Sequence, residues 1–415
     1  MKVFKFGGAS VNSAERIQNV VTILKKYQGA PLLIVISAMG KTTNALEEVV
    51  NLFYKGDKTG ALQTFSAIKQ QHLSLSETLQ TDSSLLNDFF TEVEWLLHDK
   101  PVRPFDYYYD QVVCIGELLS TRIISDFLNK QGVKNTWLDV RDVMRTDNTF
   151  REAQIDWSTT AQKVEELIRP TFSNTHIIIT QGFIGSTDEN ESTTLGREGS
   201  DYTAAIFANL LNAESQTIWK DVQGVMNADP KLYSAAQWIK ELSYREVIEM
   251  AFYGAQVIHP KTIKPLQNKN IPLLVKSFLD PDAVGTKIQS GNHIQLPPII
   301  VYKKAQALLQ LSAKDFSFVG EGGTTTVYAI FKNLKWEPNL TQNGAITLLC
   351  VVDDISEKVE AFALAASEAF DVQVTKGLSM LTIRHYNNEI LDEFTNGKTI
   401  LLRQQTPETI QLLMQ

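Results

Sequence analysis

The sequence predicts an α/β protein whose mostly parallel sheet is sandwiched by helices, followed by a smaller α+β region. Three observations carry that prediction. Continuous apolar runs such as Leu32-Leu33-Ile34-Val35-Ile36 and Ile177-Ile178-Ile179 read as strands buried on both faces, the habit of parallel strands. Stretches of helical periodicity alternate with those runs. At 415 residues the chain is also too long for one ordinary core, so roughly two or three domains are expected.

Composition narrows the class. Hydrophobic residues make up 43% and charged residues 21%, the balance of a soluble globular chain. A formal net charge of -8, with no long basic run, argues against nucleic acid and against an anionic membrane surface. Cys114 and Cys350 lie in apolar runs and read as core residues of a reducing compartment. The N-terminus does not read as a signal peptide, and no run of about 18 apolar residues appears. A cytoplasmic location is therefore expected.

Lys5-Phe6-Gly7-Gly8-Ala9-Ser10 organises the first part of the chain. Residues 3–6 read as a short strand, and Asn12 or Ser13 caps a helix to about Tyr27, with Val20, Ile23 and Leu24 on one face. Strand, glycine turn and helix aim backbone N–H groups at an anion, and Lys5 adds a full positive charge. Gly7 and Gly8 lack a Cβ, so a phosphate can lie against the backbone. The next buried strand ends in Ser37-Ala38-Met39-Gly40-Lys41-Thr42-Thr43. A Walker loop needs glycine where Val35 stands, so this is no P-loop. It still presents hydroxyls and a lysine at a strand's carboxyl end, where open α/β sheets bind ligands.

From about residue 46 to 130 the pattern is mainly helical. Glu117 sits there in an otherwise apolar helix, where an unpaired carboxylate is costly. Two readings stand: a salt bridge, with Arg122 in reach, or a seat for an ammonium group. Residues 136–140 read as a strand, 158–168 as a helix and 176–183 as a buried strand. A loop rich in Ser, Thr, Asp and Glu then runs to Gly196-Arg197-Glu198-Gly199-Ser200-Asp201, ahead of a helix over 202–213. Ser200 and Asp201 are either plain N-caps or, with Arg197, a second anion site facing the first. Residues 216–220 form a strand with charges clustered beyond it. A helix over 243–252 leads to His259-Pro260-Lys261-Thr262, and His259 has no metal-ligand spacing to another histidine.

Six stretches, in order, resemble the amino-acid kinase superfamily and, within it, the aspartokinases. They are Lys5-Phe6-Gly7-Gly8-Ala9-Ser10, Ser37 to Asn44, Ile115-Gly116-Glu117, Gly196 to Asp201, Lys220 to Val225 and Val257 to Thr262. The resemblance implies the amino-acid kinase fold for residues 1–295. It also implies transfer of a phosphoryl group from ATP, with Mg²⁺, to the side-chain carboxylate of L-aspartate, the entry step to lysine, threonine and methionine. That carboxylate, with an ordinary pKa of about 3.9, is already ionised at neutral pH, so no general base is needed. The difficulty is bringing one anion onto another, which calls for positive charge and pre-aimed N–H groups.

By the same resemblance Lys5, Gly7, Gly8 and Asp201 are catalytic: Lys5 supplies charge, the glycines cradle phosphate and Asp201 orients lysine. Arg197 clamps the substrate α-carboxylate, Glu117 takes the α-ammonium, and Ser37, Thr43 and Ser200 position the rest. Ser10, Lys220, Asp221, Met226, Lys231 and Lys261 join Lys5, Gly7 and Gly8 around the nucleotide, and no metal is assigned protein ligands. Three positions depart from the family pattern. Ala9 stands for threonine, Glu198 for a common glycine, and Gln256 for a nucleotide-contacting lysine that Lys261 would replace.

A Pro/Gly-marked linker (277–286, then Pro297-Pro298) precedes the remainder. Strand (308–312), helix (325–334), two strands around 339–352, helix (357–370) and strand (372–374) follow, the β-α-β-β-α-β order of a ferredoxin-like unit. A strand at 379–384, a short helix (390–394) and strands at 399–403 and 409–414 complete the chain. The resemblance implies an ACT-type regulatory region over 296–415, with one complete copy and one abbreviated or interleaved. Lys314, Asp315, Phe316, Ser317, Phe318, Asn339 and Gln342 would bind a lysine or threonine effector. A homodimer and a monofunctional form, without homoserine dehydrogenase, are also implied. An amino-acid sensor without turnover is the alternative from another class; intact Lys5 and Asp201 argue against it.

Overall fold

In the computed structural model, which describes residues 1–27, 29–255, 258–291, 295–314 and 320–415, the chain opens with β1 (Lys2–Phe6) and α1 (Ala14–Lys25). Ser13 caps α1 by accepting from the Arg16 N–H, and Ile17, Val20, Val21 and Leu24 form its buried stripe. β2 (Leu32–Ile36) is buried throughout. A helical layer follows: α2 (Thr42–Tyr54), α3 (Lys58–Thr78), α4 (Asn87–Leu96), α5 (Phe105–Val113) and α6 (Ile115–Lys130). Next come β3 (Thr136–Trp137), α7 (Trp157–Lys163), the single turn α8 (Arg169–Thr171), β4 (Ile177–Gln181), β5 (Ile184–Ser186) and β6 (Ser192–Thr194). They lead to α9 (Gly199–Leu210), β7 (Ser215–Lys220), β8 (Glu241–Ser243), α10 (Tyr244–Phe252), α11 (Pro260–Asn268), β9 (Leu273–Ser277) and β10 (Thr286–Gln289).

The chain divides into two units, residues 1–225, 238–248 and 257–294 forming the first and 226–237, 249–256 and 295–415 the second. The first unit carries an eight-stranded sheet in the order β3-β4-β2-β1-β7-β9-β10-β8. Among the described residues, the β9–β10 pairing is the one antiparallel pairing of this sheet, with β8 parallel to β10. Register aligns Phe6 with Ile36 and Trp219, and Ile36 with Gln181, so β1, β2, β4 and β7 end side by side. The site assembles at those carboxyl ends.

Several elements differ from the sequence reading. The polar loop after β4 is a hairpin, β5–β6, with Ser192, Thr193 and Thr194 buried. Their hydroxyls and amides are satisfied: Asp110 accepts from the Thr194 N–H and hydroxyl at 2.8 and 2.6 Å, and Thr193 Oγ1 lies 2.7 Å from Thr146 Oγ1. Paired polar groups bury at little cost, so composition alone misled. The segment read as linker contains β10, paired with β8 and β9. His259 caps α11, with Pro260 in its first turn. The strand expected over 136–140 shortens to two residues.

The second unit is one antiparallel sheet. Its elements are β11 (Ile299–Ala313), α12 (Glu321–Asn333), β12 (Leu340–Asn343), β13 (Thr347–Asp353), α13 (Ser356–Ala366), β14 (Phe370–Arg384), α14 (Asn388–Thr395), β15 (Ile400–Gln405) and β16 (Thr409–Met414). The strand order is β12-β13-β11-β14-β16-β15. β14 merges the two strands expected at 372–374 and 379–384. Gly377, at φ +73°, sits where the β11–β14 register shifts, so the interruption between those strands is a bulge. The long pair β11–β14 is therefore common to both halves of the sheet. Leu309, Leu311, Phe331, Trp336 and Phe362 form one apolar cluster, and Leu381, Ile383, Ile410 and Leu412 another under α14.

No helix among the described residues is long and apolar enough to cross a membrane. Phe362 is fully buried, its ring 4.5 Å from Phe331. Phe362→Ala should destabilise the second unit by about 3–5 kcal/mol, read by urea denaturation, whereas truncating exposed Leu364 should change it by less than about 0.5 kcal/mol.

Candidate active site

Lys5 lies near the end of β1, and Asp201 stands in the first turn of α9. Lys5 Nζ is 2.6 Å from Asp201 Oδ1, with the two side chains only 12% and 5% exposed. Each charge offsets the desolvation of the other, and the helix N-terminus favours the carboxylate. Ser200 and Asp201 are therefore not caps. The cap position is Glu198, in the left-handed region at φ +55°, and α9 begins at Gly199.

Close backbone approach brings these ends together. A Cβ on Gly8 would meet the Ala38 carbonyl oxygen at 2.6 Å, and one on Gly182 would meet Ser200 Cα at 2.6 Å. The Gly40 N–H donates to the Gly8 carbonyl and the Ser37 N–H to the Phe6 carbonyl, each at 3.1 Å. The turn after β1 thus lies on the turn after β2, and the start of α9 lies on the end of β4.

Glu117, on α6, is almost fully buried. Its Oε1 is 3.5 Å from the Ser200 hydroxyl, which donates to it, while Oε2 has no hydrogen-bond partner among the described residues. No ion pair joins it to Arg122, whose guanidinium lies 4.8 Å from the Trp137 ring. Burial pushes the Glu117 carboxyl up to about 8, against the opposing pull of the Ala38 amide and the Lys5 charge. A buried carboxylate oxygen with nothing to accept from is a seat for a donor, and an ammonium group is the strongest available.

Arg197 is exposed at the mouth of this cluster, and Ser37 and Thr43 are half-buried at the carboxyl end of β2 and the start of α2. Gly7 lies beside Lys5, a Cβ there falling 3.5 Å from Nζ. Ser10 is buried, and its hydroxyl donates to the Trp219 carbonyl, which ties the glycine turn to β7. Lys220 ends β7 and Asp221 follows, exposed. Met226 and Lys231 belong to the second unit. Lys261 starts α11, and its Nζ would lie 3.7 Å from a Cβ on Gly196. Gln256, and the effector candidates Asp315, Phe316, Ser317 and Phe318, lie outside the described residues.

The other effector candidates are engaged differently. Lys314 donates to the Ser367 carbonyl, and Gln342 is exposed on β12. Asn339 accepts from Lys303 Nζ at 2.7 Å and donates to Gln306 and Asp353, each at 2.8 Å. Sequence reasoning passed over Phe183, which takes a left-handed conformation at φ +68°. Its ring lies against Gly199, where a Cβ would come within 2.7 Å. Glycines at 182 and 199 were the available signal.

Residues 1–277 match the amino acid kinase family. The chain is 30% identical to lysine-sensitive aspartokinase 3 of Escherichia coli over 398 residues, 92% of this chain and 86% of that one. It is 34% identical over 295 residues to a chloroplastic bifunctional aspartokinase/homoserine dehydrogenase of Arabidopsis thaliana, of which it spans 32%. The fold superposes on the crystal structure of E. coli aspartokinase III in complex with aspartate and ADP with a TM-score of 0.81. Identity there is 26%, and coverage is 100% of this chain and 96% of that one. The chain belongs to the amino acid kinase family and, within it, to the aspartokinases.

The raised Glu117 pKa has a thermodynamic signature. Folding holds its proton up to about pH 8, whereas the unfolded chain releases it near the ordinary 4.5. The unfolded state binds fewer protons between those values, so this group makes stability fall as pH rises through that window. Relative to Glu117→Gln, the wild type should lose stability steadily from pH 5 to 8 in guanidinium titrations; a flat difference would refute the assignment.

Proposed function

We propose that this chain transfers the γ-phosphoryl group of ATP to the side-chain carboxylate of L-aspartate, giving 4-phospho-L-aspartate and ADP. The observation that carries the reading is the buried, unpartnered Oε2 of Glu117 beside the Lys5–Asp201 pair. Together they offer a seat for an ammonium group within reach of a phosphoryl-stabilising cation. An acid kinase acting on a free amino acid needs both.

Glu117 accepts the α-ammonium and Arg197 pairs with the α-carboxylate through its planar fork. Ser37, Thr43 and Ser200 set the orientation of the side-chain carboxylate. Lys5 stands against the transferred group, held by Asp201, and the turn of Gly7 and Gly8 brings backbone against the phosphates. Lys220 and Asp221, at the end of β7, contact the nucleotide. Among the described residues no three His, Cys, Asp or Glu side chains converge to hold a metal ion. Magnesium would arrive on nucleotide phosphates and take one or two carboxylates, with Asp201 as the candidate. When bound, it neutralises charge developing on the phosphoryl oxygens.

Residues 296–415 serve as an ACT-type regulatory region, and lysine is the effector to test first, because the E. coli relative is lysine-sensitive. A homodimer is supported by exposed Ile400 and Leu401 on the edge strand β15. Hydroxylamine trapping should detect acyl phosphate from ATP, Mg²⁺ and L-aspartate but not from L-glutamate. Lys5→Ala should lower kcat per folded molecule, with the folded fraction counted by circular dichroism, by about 10²–10³-fold. No product from aspartate would overturn the reading. Aspartate binding near pH 7 should also release a proton as Glu117 ionises, read by calorimetry in buffers of different ionisation enthalpy.

A further inference from the structure

In the sequence, Glu198 and Lys261, the residue that would stand in for the lysine missing at Gln256, look unrelated. The structure joins them. Glu198 occupies a left-handed conformation that glycine adopts more readily, and its side chain does not cap its own helix. Instead its Oε2 accepts from the His259 N–H at 2.9 Å. His259 Nδ1 in turn accepts from the Lys261 N–H at 3.2 Å, capping α11. The glutamate therefore fastens the start of α11 to the Arg197 loop.

The fastening has a consequence for charge. Lys261 Nζ lies against Gly196, the residue before Arg197, at 3.7 Å from where a Cβ would stand. Glu198, Lys261 and Arg197 each lie within electrostatic reach of the His259 imidazole. One negative and two positive charges leave the cluster at +1, the value Arg197 would have alone beside a glycine. Neither Arg197 nor Lys261 forms an ion pair with another described residue, so both are available to a ligand.

We propose that Lys261 is a second cation for the α-carboxylate of the amino-acid substrate, beside Arg197, and that Glu198 is the positioning residue that holds it there. The proposal deepens the reading of this site as an acidic amino-acid kinase and rests on it. It moves Lys261 from the nucleotide to the substrate end.

The test is steady-state kinetics of the full chain with aspartate and ATP varied in turn. Lys261→Ala should raise KM for aspartate about tenfold, the scale of one lost charge-assisted contact, and leave kcat and KM for ATP within about twofold. Lys261→Arg should restore most of the loss, which a merely structural role would not. Glu198→Ala should raise KM for aspartate in the wild-type background and add little to Lys261→Ala, since both act through one contact. A rise in KM for ATP instead would return Lys261 to the nucleotide. No change in either constant would make it a plain surface lysine. Both results overturn the proposal. If the wild type phosphorylates no acid, the functional reading itself has failed. Calorimetric titration of aspartate into wild type and Lys261→Ala then decides the proposal separately: equal affinity, or no binding by either, overturns it.

Discussion

A lysine ammonium 2.6 Å from an aspartate carboxylate, both nearly withdrawn from water, is the constraint on which the first unit depends. Neither charge is stable in that position without the other, because the desolvation of each exceeds what an apolar surround can return. The pair can form only if β1 delivers Lys5 and α9 delivers Asp201 to one point. The parallel register of β1 with β2 and β7, and of β2 with β4, makes that convergence possible. The central strands are thus apolar for a reason beyond stability: they fix where four carboxyl ends stop.

Convergence on that scale leaves no room for side chains between turns. Gly8 and Gly182 allow backbone to approach backbone at distances a Cβ would forbid, and Glu117 is buried as a result. Its raised pKa and its unpartnered oxygen come from the same packing. Asp110, equally buried, by contrast spends its oxygens on Thr194 and on the Arg151 N–H. Comparing the two carboxylates separates function from structure. Both are pushed up by burial, to about 7 for Asp110 and about 8 for Glu117, yet only Glu117 keeps an unpartnered oxygen.

Much of this was legible in the residues. Apolar runs gave the parallel strands, and the glycine pair gave the close turn after β1, because each signal is local. The meaning of Glu117 was half legible: the sequence shows a carboxylate in an apolar helix, but whether Arg122 pairs with it depends on which way two side chains on one helix point. The β5–β6 hairpin was illegible, since its burial relies on Asp110, Gln111 and Thr146, all far along the chain from it. Ser200 and Asp201 stood open between plain caps and an anion site for the same reason: each suits a helix start by type, and only the fold shows that Glu117 and Lys5 claim them. Residues 372–384 read as two strands because a glycine inside a bulge looks, in sequence, like the end of a strand.

Asn339 shows how far such reasoning can be pressed in the second unit. Its position near β12 suited an effector contact, yet both of its amide protons and its carbonyl are spent on Gln306, Asp353 and Lys303. Gln306 and Asp353 are themselves bonded to one another at 2.9 Å, so the group is closed. A ligand that engaged Asn339 would have to displace one of these partners and leave it partly unsatisfied, at a cost of about 1–3 kcal/mol. Lys303 would suffer most, since its ammonium is already disfavoured by burial and is stabilised by Asp353. Gln342, exposed on the same strand, carries no such cost. Any amino acid that binds near β12 therefore gains more from Gln342 than from Asn339, and Asn339 is better understood as part of the joint between β11, β12 and β13.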